Sequence, residues 1–322
     1  MSTVASLIDF DADESPKWRT KGAEVPSVKK MIENIVKYQN RWSEYKKSTN
    51  KETLDKVLHK SLIDFIYYVN NEEEHGYDTK EEIESCLEAN NTSERPPDIK
   101  GIETLNLREA YQFLLNKVKN VEESEDVEKV HGLLEQSLMK ETHKLIMKDV
   151  TKPNVTEPGK YSEHRRFTTY KGVEYEYAKP EDIERKVYVI VNNHNGLMKY
   201  HVKDEKDPNV RVYVMFKICS WLLFELLDVH PFGDGNGRLC RLLCSYVLSS
   251  MTPFPTPIYN VWTESKKDDY IEALVETRES KTRHPTSLTT MIIESNYYCW
   301  KKFIKILESI DSSQSEIKNN TE

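Results

Sequence analysis

The sequence predicts a mainly α-helical fold, and three observations carry that expectation. Apolar residues recur at helical spacing, as at Met31, Ile32, Ile35, Val36 and again at Leu62, Phe65, Ile66, Val69. Residues that break helices are scarce, with Gly 10 and Pro 13 in 322 residues. Strand-like alternation is confined to one short stretch near residue 170.

Composition narrows the class further. At 322 residues one or two domains with a substantial core are expected. Hydrophobic residues at 38% and charged residues at 31% suit a soluble helical protein with long charged surfaces. A net charge of −8 and a pI near 5.7 argue against nucleic acid as the main partner. Five cysteines without framework spacing read as reduced thiols in a cytoplasmic or nuclear protein, and no Cys/His cluster suggests zinc. The first eight residues lack the basic start and apolar run of a signal peptide. The most apolar segment, 210–229, carries Arg211, Lys217, Glu225 and Asp228, so a buried helix is expected there rather than a membrane span.

In chain order, residues 1–27 are acidic then mixed, with Pro16 and Pro26, and read as a mobile or loosely docked arm. A helical region follows over 28–100. One helix begins near Val28, a polar break falls at Ser48-Thr49-Asn50, a second helix begins near Glu52, and residues 86–100 read as a linker or loop. Residues 101–310 form the expected core, with helices at about 106–120 and 125–148. Residues Arg166 to Tyr170 and Val173 to Tyr177, joined by Lys171-Gly172, have a hairpin pattern. Pro180 is placed to start the next helix. The long apolar helix 210–229, a helix over 237–250, one opening at Asp269-Tyr270 and a closing helix at 297–310 complete the core. Residues 311–322 read as a polar tail.

The chemistry concentrates in His230-Pro231-Phe232-Gly233-Asp234-Gly235-Asn236-Gly237-Arg238-Leu239-Cys240-Arg241. Leu239, Leu242, Leu243, Tyr246 and Val247 begin a helical repeat just after the last glycine. The glycine-rich turn therefore lies at a helix N-terminus, where free N–H groups and the positive end of the dipole favour an anion. Arg238 and Arg241, three residues apart, project from one face of that helix, and guanidinium forks suit phosphate oxygens. Asp234 is a hard oxygen ligand suited to Mg²⁺ shared with phosphates. His230 can take a proton near neutral pH. A turn with an ordinary solvated arginine face is the plainer alternative; the coincidence of parts favours a phosphate-transfer site.

The same twelve residues resemble the signature of the Fic family, H-P-F-x-[D/E]-G-N-G-R-x-x-R, at every defined position, and the resemblance extends loosely over about 55–305. It implies a Fic-type helical core with a β-hairpin flap before the active-site helices, and transfer of AMP from ATP to a protein Ser, Thr or Tyr hydroxyl. In that reading His230 is the base, Gly235 and Gly237 cradle the phosphates, and Asn236 orients an α-phosphate oxygen. Arg238 and Arg241 neutralise the leaving end and Asp234 holds Mg²⁺. Phe232 is expected as a buried anchor. The hairpin is similar to the family's flap, whose edge pairs with the target peptide; Thr168, Thr169, Tyr170, Gly172 and Val173 would serve it. Tyr270 and Leu274 resemble the nucleobase-lining element, with Ile271 in place of an aromatic; core packing explains them equally well.

The resemblance also implies an inhibitory glutamate in the pattern [S/T]-x-x-x-E-[G/N]. Glu73 falls at its glutamate, with Val69 and Glu74 departing from the flanking positions; Glu294 in Thr290–Ser295 is the second candidate. A carboxylate brought to Arg241 would take the place of the ATP γ-phosphate. The expected partners are ATP and a protein hydroxyl, with no nucleic acid and no membrane, and a homodimer is compatible with the sequence. Removal of AMP from a modified target, transfer of UMP or phosphocholine, and a non-catalytic nucleotide-binding module stay open as alternatives.

Overall fold

A computed structural model describes residues 2–19, 24–71, 73–89, 98–123, 130–150, 157–259 and 265–319. Over these the protein is mainly helical with one antiparallel hairpin, as the periodicity predicts. In order come α1 (Ser2–Ala5), α2 (Val28–Ser48), α3 (Lys51–Asn71), α4 (Lys80–Ala89), α5 (Ile99–Glu123) and α6 (Gln136–Ile146). The hairpin strands β1 (Phe167–Tyr170) and β2 (Val173–Glu176) follow, then α7 (Pro180–Leu197), α8 (Pro208–Val229), α9 (Asn236–Leu248), α10 (Lys267–Glu279) and α11 (Thr286–Asn319).

Helix α8 is the axis. Asp207 caps it by accepting from Asn209 N at 2.8 Å, and Pro208 occupies a first-turn position where no N–H is missed. Its apolar residues cover more than one face because α2, α7, α9 and α11 all pack against it. Phe216, Leu222 and Leu223 are fully buried, so truncating Leu222 to Ala should cost about 2–5 kcal/mol. Helix α9 lies alongside α8, α5 and α6 lie against α9, and α2 packs along α11.

Several elements differ from the sequence expectation. The arm expected to be mobile or loosely docked is packed over residues 2–19. Trp18 is buried, its Nε1 donates to Glu294 at 2.8 Å, and the Ala12 N–H donates to Tyr213 at 2.7 Å. Helix α4 covers the start of the stretch read as a linker; Thr79 caps it, its Oγ1 accepting from the Glu82 N–H at 3.3 Å while its hydroxyl donates to the Glu82 carboxylate at 2.7 Å. Of the rest of that stretch, 90–97 lie outside the described residues, and Ile99 and Lys100 already open α5. The helix expected over 125–148 starts only at Gln136. Gly132 has a φ of 74°, and Asn195 on α7 holds both backbone groups of Leu134 at 2.8 Å, so residues 130–135 run as a loop, while 125–129 lie outside the described residues. Helix α11 runs unbroken through the positions read as separate closing helix and polar tail, since no Gly or Pro interrupts 286–319.

Candidate active site

The loop between α8 and α9 is built by the residues of the motif itself. Helix α8 stops at His230, whose left-handed backbone (φ 51°, ψ 62°) turns the chain while its N–H still donates to Leu226. The Asn236 amide then closes the loop: Oδ1 accepts from Phe232 N at 2.9 Å and Nδ2 donates to Phe232 O at 2.8 Å. Asn236 therefore braces the loop, with one Nδ2–H left over beyond these two bonds. Phe232 is fully buried, as expected, and stacks on His143 with centroids 3.9 Å apart.

His143 is the brace that the sequence did not disclose. Its Nδ1 accepts from Gly159 N at 2.9 Å, so the proton sits on Nε2, which donates to the Asp234 carbonyl at 2.9 Å. Burial pushes its pKa down to about 4, keeping the ring neutral in this arrangement. Gly235 takes φ 73°, and a β-carbon there would lie 2.9 Å from Met147 Sδ. Its N–H is used by Asp234 Oδ1 at 2.7 Å. The amides left for an anion are those of Asn236, Gly237 and Arg238, which as first-turn residues have no intrahelical acceptor.

Arg238 and Arg241 come together here, both nearly fully buried. Arg238 has one directed contact, Nη2 to Met147 Sδ at 3.5 Å, and its Nε and Nη1 are buried without a hydrogen-bond partner. Arg241 donates to the Val69 carbonyl at 3.0 Å and is ion-paired with Glu73, while its Nε is unpartnered. Buried guanidinium N–H groups without acceptors are costly, which marks a site made for a further anion. The second Glu73 oxygen lies 3.7 Å from Arg238 Nε. Burial would raise the Glu73 pKa, but Arg241 and Arg238 outweigh it and hold the carboxyl below its usual range.

Glu294, the second candidate, is elsewhere. It is buried and bonded to Trp18 and to Arg19 Nε at 2.6 Å, so it anchors the N-terminal arm and does not reach Arg241. Both glutamates fit the sequence pattern; packing alone separates them.

His230 lies on the cleft wall under the flap. Its ring stacks on Tyr177 at 4.0 Å, its carbonyl accepts from Arg166, and Nδ1 is buried without a hydrogen-bond partner. Burial first, then the Arg166 charge, lowers its pKa to about 4. The hairpin pairs Thr168 with Tyr175 and Thr169 with Glu174, and its turn residues Lys171 and Gly172 both have positive φ, as a tight hairpin turn requires. Tyr170 pairs with Val173, which is 70% exposed. Tyr175 fixes the hairpin to the site through Asp228 at 2.9 Å, and Arg278 and Arg283 meet the same carboxylate at 2.7 and 2.8 Å. Arg166, Tyr175, Tyr177 and Asp228 all escaped sequence reasoning, since none belongs to the motif.

The cleft so formed has a volume of about 260 Å³ and is lined by His230, Asp234, Gly237, Arg241, Tyr270 and Leu274 among others, with Ile271 beside them. Tyr270 is buried and stacks on Tyr259 with centroids 4.4 Å apart, and its hydroxyl has no partner. Among the described residues no group of three or more metal-ligating side chains occurs. Asp234 lines the cleft as a carboxylate donor, suited to an ion that takes most of its oxygens from phosphates and water.

A family model described as Fic/DOC matches residues 133–248. A Fido domain-containing protein of Dictyostelium discoideum is 30% identical over 135 residues, spanning 41% of this chain and 84% of that protein. The chain belongs to the Fic/DOC family. A Fic domain-containing signaling protein from Bacteroides thetaiotaomicron shares the fold at a TM-score of 0.65 and 18% identity, over 87% of this chain and 97% of the other. A Fic-1 fragment from C. elegans does so at 0.62 and 16% identity, over 88% and 73%. Fic proteins commonly transfer nucleotidyl or other groups onto proteins, and among the described residues of this member no helix is long and apolar enough to cross a membrane.

Proposed function

We propose that this Fic protein is an adenylyltransferase that moves AMP from ATP to a Ser, Thr or Tyr hydroxyl of a protein, held in check by Glu73. One observation carries the reading: Arg238 and Arg241, buried with unpartnered N–H groups, sit together in the first turns of α9, and Arg241 lines the same cleft as His230. The triphosphate lies over the α9 N-terminus, with its β/γ end against Arg238 and Arg241. Asp234 would hold Mg²⁺, which when bound neutralises phosphate charge. The nucleobase takes the wall of Tyr270 and Leu274, and the flap edge at Thr168, Thr169, Tyr170, Gly172 and Val173 pairs with the target backbone.

His230 Nε2 takes the hydroxyl proton while the hydroxyl oxygen bonds to the α-phosphorus, and the bond from that phosphorus to the β-phosphate bridge breaks to release pyrophosphate. A ring with pKa near 4 is neutral and ready at pH 7, and the charge of bound triphosphate raises its basicity further. Catalysis rests on positioning and charge stabilisation. Glu73 occupies the Arg241 fork that the γ-phosphate requires, which is the basis of the inhibition. The protein acts without nucleic acid or membrane, in the cytoplasm or nucleus.

The test incubates the Glu73→Gly protein with α-labelled ATP, Mg²⁺ and cell extract beside a matched His230→Ala control. Label on protein that the control lacks supports the reading. Equal labelling in both, or stronger labelling from UTP or CDP-choline, rejects it.

A further inference from the structure

The turn that presents Glu73 has a geometry its own sequence opposes. The His75 N–H donates to the Asn70 carbonyl and the Glu74 N–H to the Asn71 carbonyl, both at 3.0 Å. This pair of bonds is the Schellman pattern that follows α3, with Glu74 as its left-handed residue and Glu73 directly before it. Glu74 indeed has a φ of 60°. Glycine adopts that conformation freely, whereas a residue with a side chain is disfavoured there by a factor of roughly 5–30. The turn that blocks the site therefore carries a built-in tendency to open.

What opposes opening lies on α5. Glu103, buried there, accepts from His75 Nδ1 at 2.7 Å and from the Gly76 N–H at 2.9 Å. A carboxylate in this state has no proton to give, so Nδ1–H is the donor. Burial would raise the Glu103 pKa, but His75 and the Gly76 N–H hold it below the usual range. Both bonded residues directly follow the strained position. Gly76 is pressed close as well: a β-carbon there would lie 2.7 Å from Asn70 Nδ2 and 3.0 Å from Thr104 Oγ1.

We infer that Glu103 is a latch: by gripping His75 and Gly76 it holds the Glu73 turn closed on Arg241 and sets how much of the protein has its phosphate site blocked. The inference rests on the reading of Glu73 as occupant of the triphosphate site. Glu103 is not part of the cleft lining, so it acts through the turn as a positioning residue. Closed and open turns are two states of one equilibrium, and contacts made only in the closed state set their ratio.

Two readouts test it: hydrogen exchange of the Glu73, Glu74 and His75 amides, and AMP transfer from α-labelled ATP with and without Glu73. Glu103→Gln should speed exchange and raise transfer on the order of tenfold, the scale of a hydrogen bond to a charged group. His75→Ala, at a half-buried position, removes the same bond from the other side and should match it if Glu103→Gln folds poorly. Glu74→Gly should act oppositely and slow both by about fivefold. In a Glu73→Gly background neither Glu103→Gln nor Glu74→Gly should change transfer. Unchanged exchange in both Glu103→Gln and His75→Ala overturns the latch. Faster exchange with unchanged transfer, or an equal rise without Glu73, overturns its coupling to the site. If Glu73→Gly transfers nothing from ATP, the nucleotidyl reading fails instead, and exchange alone decides the latch.

Discussion

Gly237 has no room for a side chain because Glu73 fills it: a β-carbon on Gly237 would overlap Oε1 of Glu73 and lie 3.0 Å from its Cδ. The carboxylate thus rests on the first turn of α9, where the helix amides and Arg241 converge. An anion already bound in an anion site competes with any phosphate that needs the same groups. Glu73→Gly should therefore raise transfer from ATP by about 5–150-fold, the usual range of a coupling between two occupants. Initial rates with labelled ATP check this, and an unchanged rate removes the inhibitory role.

His230→Ala should lower transfer by roughly 10²–10⁴-fold in the Glu73→Gly background, the contribution of a positioned base. Stabilisation by Mg·ATP, read as a shift in thermal unfolding, should survive, because the cradle does not depend on the imidazole. Loss of both together would mean that His230 holds the loop and does no chemistry.

Histidine burial sets two pH dependences. With the His230 pKa near 4 in place of 6.5, kcat/KM in Glu73→Gly should hold level from pH 8 to about 5 and fall only near 4. Removing Glu73 lowers that pKa further, since its charge favours the imidazolium. His143 and His194 are also held neutral near 4 by burial. Their folded values lie below the unfolded value, so this stability is full above pH 6.5 and is lost as pH falls from 6.5 through about 4. The loss is of order 3 kcal/mol for each of the two. Urea titrations across that window check it.

Glu294→Ala should destabilise the fold by about 3–5 kcal/mol without raising transfer, because it strands Arg19 and the Trp18 N–H in a buried place. Thermal unfolding and the labelled-ATP rate, measured on one preparation, separate this anchor from an inhibitor.

What could be read from the sequence was what is local. The twelve residues from His230 to Arg241 announced their turn, their helix and their anion chemistry because all the parts are consecutive. Helix α4 was also signalled, by Thr79 three residues before Glu82, though the nearby polar stretch obscured it. Glu73 and Glu294 each fit one pattern with departures, Val69 and Glu74 around the first and Ser295 after the second, and it is the packing of α3 against α9 that brings Glu73 to Arg241. His143, Arg166, Tyr177 and Asp228 serve the site from other helices or the flap, and no spacing connects them to it. The part Asn236 plays in tying the loop to Phe232 was not legible, because an amide in a phosphate loop can brace the loop as well as face a ligand.

The central claim is that the bond broken lies at the α-phosphorus, with the β/γ end leaving from the arginine fork. Paired reactions of Glu73→Gly with ATP labelled at the α or the γ position test it most directly. The account requires label on protein from the α position, none from the γ position, and neither in His230→Ala. Protein labelled from the γ position would contradict it.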